Sequence, residues 1–319
     1  MEIQKSPLYK LSNKNYLKYL LKIPDKKFFK QSYITQLITP YIDNKNGKKR
    51  LIEVPDLELK KIQSRLKNIL SLLQMPNYVF SGVKGRSYYD NAYLHKGNKY
   101  VCKIDLESFF PNISREKVYL FFLTYFKCSS DIAYILTNLT TVDLTRTKIK
   151  NNKKLEKFLE YKNIFCKNHL ISGSPASQLL SYLVNKDMFD EIYNLANKNS
   201  INVSIYVDDI IFSSFNKISY DFIKQIKRII NKYNYNISNS KFKRYLNGYP
   251  KRITGVIIDK NGQLSIPNSL RLKIIKEFEY LKSHPNDSKS KIRLRGLILS
   301  SRQIEPNAFV GIYKYLKKF

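Results

Sequence analysis

Tyr206-Val207-Asp208-Asp209 interrupts an apolar run, with Val203-Ser204-Ile205 before it and Ile210-Ile211-Phe212 after it. Val, Ile, Tyr and Phe at that density predict a strand, a tight turn and a second strand. Two adjacent ionised carboxylates in such a run repel each other and resist leaving water. They are tolerable in an exposed turn, or beside a divalent cation that neutralises them. Hard, oxygen-only ligation at a hairpin tip suits Mg²⁺. A lone Asp-Asp pair is most simply a solvated turn. A third carboxylate upstream, in matching surroundings, shifts the balance toward a metal.

That carboxylate is Asp105. Tyr100-Val101-Cys102-Lys103-Ile104-Asp105 reads as another strand ending on an acid, with a bend before Pro111. Enzymes that join nucleotides use two metal ions roughly 3.5–4 Å apart, one at the attacking oxygen and one at the triphosphate. Carboxylates from two different strands can bridge such a pair. Asp105 and Asp208 are the expected bridging ligands, with Asp209 as helper and the Leu106 carbonyl as a further ligand. Glu107 reads as a surface acid.

Further segments carry a resemblance. Lys49-Arg50-Leu51-Ile52-Glu53-Val54-Pro55, the Asn91-Ala92-Tyr93-Leu94-His95 stretch, Asp105 with Phe109-Phe110-Pro111, and Gly173-Ser174-Pro175-Ala176-Ser177 follow in order. Tyr206 to Asp209, Asn239-Ser240-Lys241 and Ile253-Thr254-Gly255 complete the series. Each short motif is weak alone; order and spacing together are strong. The chain resembles reverse transcriptases of the bacterial retron type over nearly its whole length. The resemblance implies an α+β, right-hand polymerase fold with fingers, an antiparallel-sheet palm and a short helical thumb. The implied divisions are an N-terminal region with fingers at 1–99, palm at 100–112, a helical insertion at 113–170, palm at 171–264 and thumb at 265–319.

It also implies roles, residue by residue. Asp105, Asp208, Asp209 and Lys241 would be catalytic, Lys241 protonating the leaving pyrophosphate. Two Mg²⁺ ions, with Mn²⁺ as a substitute, would be held by Asp105, Leu106, Asp208 and Asp209. The deoxynucleotide triphosphate would meet Arg50 with Lys48 or Lys49 beside it, Phe110, Gly173, Ser174 and Pro175. A guanidinium can fork onto phosphate oxygens. A ring at Phe110, five positions after Asp105, would exclude a 2′-hydroxyl. Glycine at 173 lets backbone approach the incoming base. Arg86, Asn91, His95, Tyr206, Thr254, Gly255, Lys291, Arg293 and Arg295 would touch nucleic acid. For Asn91 and His95, one helical turn apart, the competing expectation is a hydrogen-bonded junction; for Arg86 it is a structural ion pair.

Composition agrees. There are 57 basic and 25 acidic residues, a net charge of +32, which points to a polyanionic partner. Codon bias toward Lys can inflate the cations but does not explain the scarcity of acids. Tyr and Phe number 25 and 18, suited to base stacking among cations, although most rings belong to the core. Cys102, Cys128 and Cys166 are odd in number and lack ligand spacing, so they read as reduced packing residues in the cytoplasm of a bacterium. His95, His169 and His284 lack zinc spacing. No signal peptide or membrane span is expected.

Local patterns set the expected elements. Residues 1–45 mix helical patterns with lysines and are expected to carry short helices, with Tyr9 and Tyr16 to Leu21 packing against the fingers. Asp56 can cap a helix with Leu59, Ile62, Leu66, Ile69 and Leu73 on one face. Residues 148–157 read as a basic exposed loop, and 174–195 as one helix. Tyr220, Ile223, Ile226, Ile230 and Tyr233 form another stripe. Strands are expected near 253–258 with a turn at Asn261-Gly262. Leu270, Ile274, Phe278 and Leu281 are helically spaced.

The chain departs from the family where Ile171-Ser172 replace the usual Pro-Gln, which bears on processivity, and where Gln178 stands for a common Pro. No RNase H or endonuclease module is expected after the thumb. The expected activity is RNA-directed DNA synthesis on a cognate structured noncoding RNA. That synthesis is primed from a 2′-hydroxyl and yields a branched RNA–DNA, and it serves anti-phage defence with a separate effector protein. One alternative is another defence-associated or group II intron-like enzyme, primed differently. Another is an inactive RNA-binding scaffold, against which the three carboxylates argue.

Overall fold

The computed structural model of the chain describes residues 2–45, 47–147, 153–162, 164 and 166–317. Helices α1 (Lys14–Leu21) and α2 (Gln31–Gln36) lead into a hairpin of β1 (Ile38–Lys45) and β2 (Lys48–Pro55). Asp56 then caps α3 (Leu57–Leu70), its carboxylate accepting the Leu59 amide at 2.8 Å. That bond satisfies one of the amides that every helix start leaves open. Leu59, Ile62, Leu66 and Leu70 face inward from this helix.

Next come α4 (Tyr88–Tyr93), β3 (Tyr100–Asp105), α5 (Arg115–Thr124), α6 (Ser130–Thr140) and β4 (Thr141–Asp143). They are followed by α7 (Lys153–Tyr161), β5 (Asn168–Leu170), α8 (Ser177–Val184) and α9 (Lys186–Lys198). The expected hairpin forms as β6 (Asn202–Tyr206) and β7 (Asp209–Ser214). Then come α10 (Tyr220–Lys232), β8 (Lys243–Tyr245), β9 (Lys251–Ile253), β10 (Val256–Ile258) and β11 (Leu264–Ser265). The chain closes with α11 (Asn268–Ser283), α12 (Ser288–Ile304) and α13 (Val310–Leu316).

The fold is α+β. Its centre is an antiparallel sheet in the order β6-β7-β3-β8. Apolar side chains of α3, α5, α6, α8, α9 and α10 bury one continuous core with it. The outer edge of β6 is taken by residues 78–80: Ile205 donates to the Tyr78 carbonyl at 2.7 Å and Phe80 to the Ile205 carbonyl at 3.0 Å. A second core lies under the β9-β10-β11 sheet and reaches Ala92 on α4. A third, smaller one joins α11 to α12 and α13. Tyr88 ties the second region to α12 by bonding Ser300 at 2.8 Å, and Arg271 with Glu305 clamps the two ends of the α11–α12 pair at 2.6 Å.

Four elements differ from expectation. The 174–195 helix is two helices, broken at Asn185, whose backbone leaves the helical region at φ −108° and ψ 20°. In the 148–157 stretch, residues 148–152 lie outside the described residues and Lys153 already opens α7. The 113–170 segment carries the small β4–β5 sheet among its helices. Residues 38–45 form a full-length partner for the Arg50 strand. Among the described residues, no helix is long and apolar enough to cross a membrane.

Candidate active site

Strand pairing brings the acids together. Asp105, last in β3, stands opposite Asp209, first in β7, and Tyr206 pairs with Asp209 across the hairpin. Val207 and Asp208 are left as a two-residue turn, with Val207 at φ 60°. A positive φ at the first turn position matches the hairpin twist and is usually filled by Gly. A β-branched side chain there is strained by roughly 1–2 kcal/mol. Ser81 holds the turn by accepting the Val207 amide at 3.0 Å, and the Leu106 amide donates to the Asp208 carbonyl at 2.9 Å. The ligand atoms of Asp105, Asp208 and Asp209 lie within 4.8 Å of one another.

Like charges this close must be compensated. Lys241 chelates both Asp105 oxygens at 2.7 and 2.8 Å, and Lys103 binds Asp209 at 2.7 Å. Among the described residues Asp208 makes no ion pair. Burial, and then the negative charges of Asp105 and Asp209, push its carboxyl up to about 6. Burial also raises Asp209, against the pull of Lys103. The Asp209 Oδ1 atom is buried without a partner. An orphan acceptor in an excess of carboxylate oxygens is what a hard divalent cation would satisfy, so the donor set fits Mg²⁺.

Other expected site residues scatter around this centre. Phe110 is half-buried at the start of a short 3₁₀ turn, while its neighbour Phe109 packs into the core against Phe189 and Tyr235. Arg50 and Lys49 are exposed on β2; the Lys48 side chain lies outside the described residues. Gly173, Ser174 and Pro175 form the turn before α8. A Cβ on Gly173 would sit 2.3 Å from the Glu53 carbonyl oxygen, so only glycine fits there. Ser174 is buried and its hydroxyl accepts the Ala176 amide at 3.2 Å. Tyr206 is half-buried beside the turn. Gly255 is exposed at φ 90°, next to Thr254 at φ 42°. On α12, Arg295 is exposed, Arg293 pairs with Glu277 at 3.1 Å, and Lys291 is half-buried.

Three residues assigned to nucleic acid are engaged within the protein instead, two of them as the competing hydrogen-bonded junction expects. His95 is fully buried, with Nδ1 2.7 Å from the Ser213 hydroxyl and Nε2 2.8 Å from that of Ser204. Burial lowers its pKa to about 3, so the ring is neutral and both nitrogens are occupied by the central sheet. Asn91 is also fully buried and donates to the Thr254 hydroxyl at 3.1 Å. Arg86 spends its guanidinium on the carbonyls of Met75, Pro76 and Val79, securing the loop that edges β6. Among the described residues Arg86 makes no ion pair, so the expected structural salt bridge is replaced by carbonyl hydrogen bonds.

Sequence reading gave no role to Lys103 or Ser81. Lys103 lies two residues before Asp105, hence on the same strand face, and that spacing was a usable signal. Ser81 reaches the turn through tertiary packing, and no local pattern announces it.

The family described as reverse transcriptase (RNA-dependent DNA polymerase) matches residues 42–285. Retron Se72 reverse transcriptase of Salmonella heidelberg is 30% identical over 205 residues, which is 62% of this chain and 47% of that protein. Retron Ec83 reverse transcriptase of Escherichia coli is 27% identical over 277 residues, 82% of this chain and 80% of that one. Retron Ec73 reverse transcriptase, also of Escherichia coli, is 26% identical over 282 residues, 85% and 84% of the two chains. The match thus spans about half the length of the Se72 protein and about four-fifths of the other two. With three carboxylates meeting beside one hairpin tip inside the matched region, the chain belongs to the reverse transcriptase (RNA-dependent DNA polymerase) family and is similar to retron enzymes.

Proposed function

We propose that this chain copies a cognate structured noncoding RNA into a short single-stranded DNA. The observation that carries the reading is the Asp105–Asp208–Asp209 cluster, buried enough to raise Asp208 and left with an unpartnered oxygen on Asp209. Two Mg²⁺ ions bound there would activate the attacking oxygen and neutralise charge on the triphosphate. Mn²⁺ is the expected substitute.

The chain's own residues supply the rest. Lys241 holds protons on Nζ within hydrogen-bond reach of Asp105, where one can pass to the leaving pyrophosphate. Arg50, exposed on β2, is suited to a bidentate grip on phosphate oxygens. Phe110 would exclude a 2′-hydroxyl, and the turn at Gly173, pressed against the Glu53 carbonyl, would present backbone to the base. The exposed Arg293 and Arg295 offer α12 to the backbone of the template–primer duplex.

Retron resemblance extends the proposal: priming from the 2′-hydroxyl of a guanosine in the RNA, a branched RNA–DNA product, and anti-phage defence in the bacterial cytoplasm with a separate effector. Sequencing the nucleic acid that copurifies with the chain identifies the template and tests the branch.

The direct test is catalytic. Asp208→Asn or Asp105→Asn is expected to abolish nucleotide incorporation while RNA binding persists. Near-normal incorporation by Asp208→Asn would overturn the polymerase mechanism.

A further inference from the structure

His169 and Glu53 lie 116 positions apart in the chain, belong to no part of the three-carboxylate cluster and are both fully buried. His169, on β5, has Nε2 2.6 Å from a Glu53 oxygen and Nδ1 2.6 Å from the Cys166 carbonyl. A carboxylate and a carbonyl only accept. Against an ionised Glu53, a neutral imidazole with its one N–H cannot serve both, so the ring facing that carboxylate is an imidazolium. Burial opposes that charge, but Glu53, the Cys166 carbonyl and Asp143 outweigh it and raise the His169 pKa above its ordinary value.

Glu53 is in turn bonded to one short segment. Its second oxygen accepts the Ser172 amide at 2.9 Å. Its own amide donates to the Ser172 hydroxyl at 3.1 Å, and its carbonyl accepts the Gly173 amide at 3.1 Å. The Ser172 hydroxyl is thereby engaged by β2 backbone. Removing either partner of a buried pair strands the other, so the whole arrangement holds or fails together.

We propose that Glu53, seated on the His169 imidazolium, is a positioning residue for the nucleotide-binding turn: it holds Ser172 and Gly173 against the β1–β2 hairpin and so sets affinity for the incoming deoxynucleotide. This rests on the polymerase reading above. It also makes that affinity sensitive to alkali. The charged and titratable groups around His169 are Glu53 on β2, Asp143 on β4 with its partner Arg146, and Cys166 just before β5. Arg115, opening α5, reaches Thr141 on β4, and Lys117 lies near Cys166. Once His169 loses its proton, one of its two acceptors loses a donor.

Single-nucleotide incorporation on a primed RNA template tests this through KM and kcat. Glu53→Ala is expected to raise KM for the deoxynucleotide roughly tenfold or more, with kcat at saturation changed less than about threefold. Glu53→Gln can donate to a neutral His169 and still accept the Ser172 amide. It should restore most of the affinity at neutral pH. Wild-type KM should climb as pH passes through the raised His169 pKa, and the Glu53→Gln profile should stay flat there. If Glu53→Ala fails to fold by circular dichroism, Ser172→Ala removes only the hydroxyl acceptor and should raise KM several-fold. An unchanged KM in the folded variant, or an alkaline rise that persists in Glu53→Gln, overturns the inference alone. A wild-type chain that incorporates nothing overturns the polymerase reading and this inference with it.

Discussion

Asp208 carries the least compensated charge of the three clustered acids, and a sign follows from it. Its pKa is raised from 3.8 to about 6 in the folded chain. Between those values the folded state binds more protons than the unfolded one. Stability of the metal-free protein therefore falls as pH rises through that window and stays lowered above it. Asp208→Asn removes the charge at nearly constant shape. In EDTA near neutral pH the variant should be more stable than wild type by at most about 3 kcal/mol, and the gain should vanish below about pH 4. Mg²⁺ should stabilise wild type more than the variant. Thermal denaturation across pH measures this; equal midpoints in EDTA at neutral pH would mean that Asp208 is not destabilised. Phe110→Ala should widen access for ribonucleotides with little change in the rate for the correct substrate, because a lost clash removes no attraction. Incorporation of dGTP against GTP opposite one template base reads it, and an unchanged ratio in an active variant would leave Phe110 a packing residue. At this scale Asp105, Asp208 and Asp209 were legible because each closes or opens an apolar run. The burial of His95 was not, since its two serine partners stand on β6 and β7, over a hundred positions away.

Elements were legible where their signals are local. The Asp56 cap and the apolar stripes of α3 and α10 lie within the segments they shape. The break between α8 and α9 is held from a distance: the Tyr235 hydroxyl donates to the Asn185 side-chain oxygen at 2.7 Å, while the Asn185 side-chain Nδ2 donates to the Ser181 carbonyl at 2.9 Å. Residue-by-residue periodicity cannot carry that information. Asn185→Ala would leave a buried tyrosine hydroxyl unpaired. It should lower stability by about 1–3 kcal/mol, seen as an earlier urea midpoint with unchanged slope. A midpoint within error of wild type would show that the hydroxyl finds another partner. Strand β1 was hidden for a different reason. Pro40 lies inside it and argues against a strand, yet in a two-stranded ribbon each strand has a free edge that needs no amide donor.

Over the whole molecule the net charge of +32 was readable from composition, but which face presents it was not. Binding to structured RNA should weaken steeply with salt. With six to ten phosphate contacts, affinity should fall by about 10³–10⁵ between roughly 50 and 200 mM. A flat dependence would remove the basic surface from the binding face. The central sheet has its own consequence for the company this protein keeps. One margin is occupied by residues 78–80, and the other ends in β8, three residues long and including Lys243 and Arg244. Short, cationic margins discourage strand-to-strand growth. The sheet is therefore a poor template for a foreign strand, such as one from a misfolded copy. The hairpin that carries Asp208 and Asp209 is correspondingly protected from being pulled out of register by a neighbour.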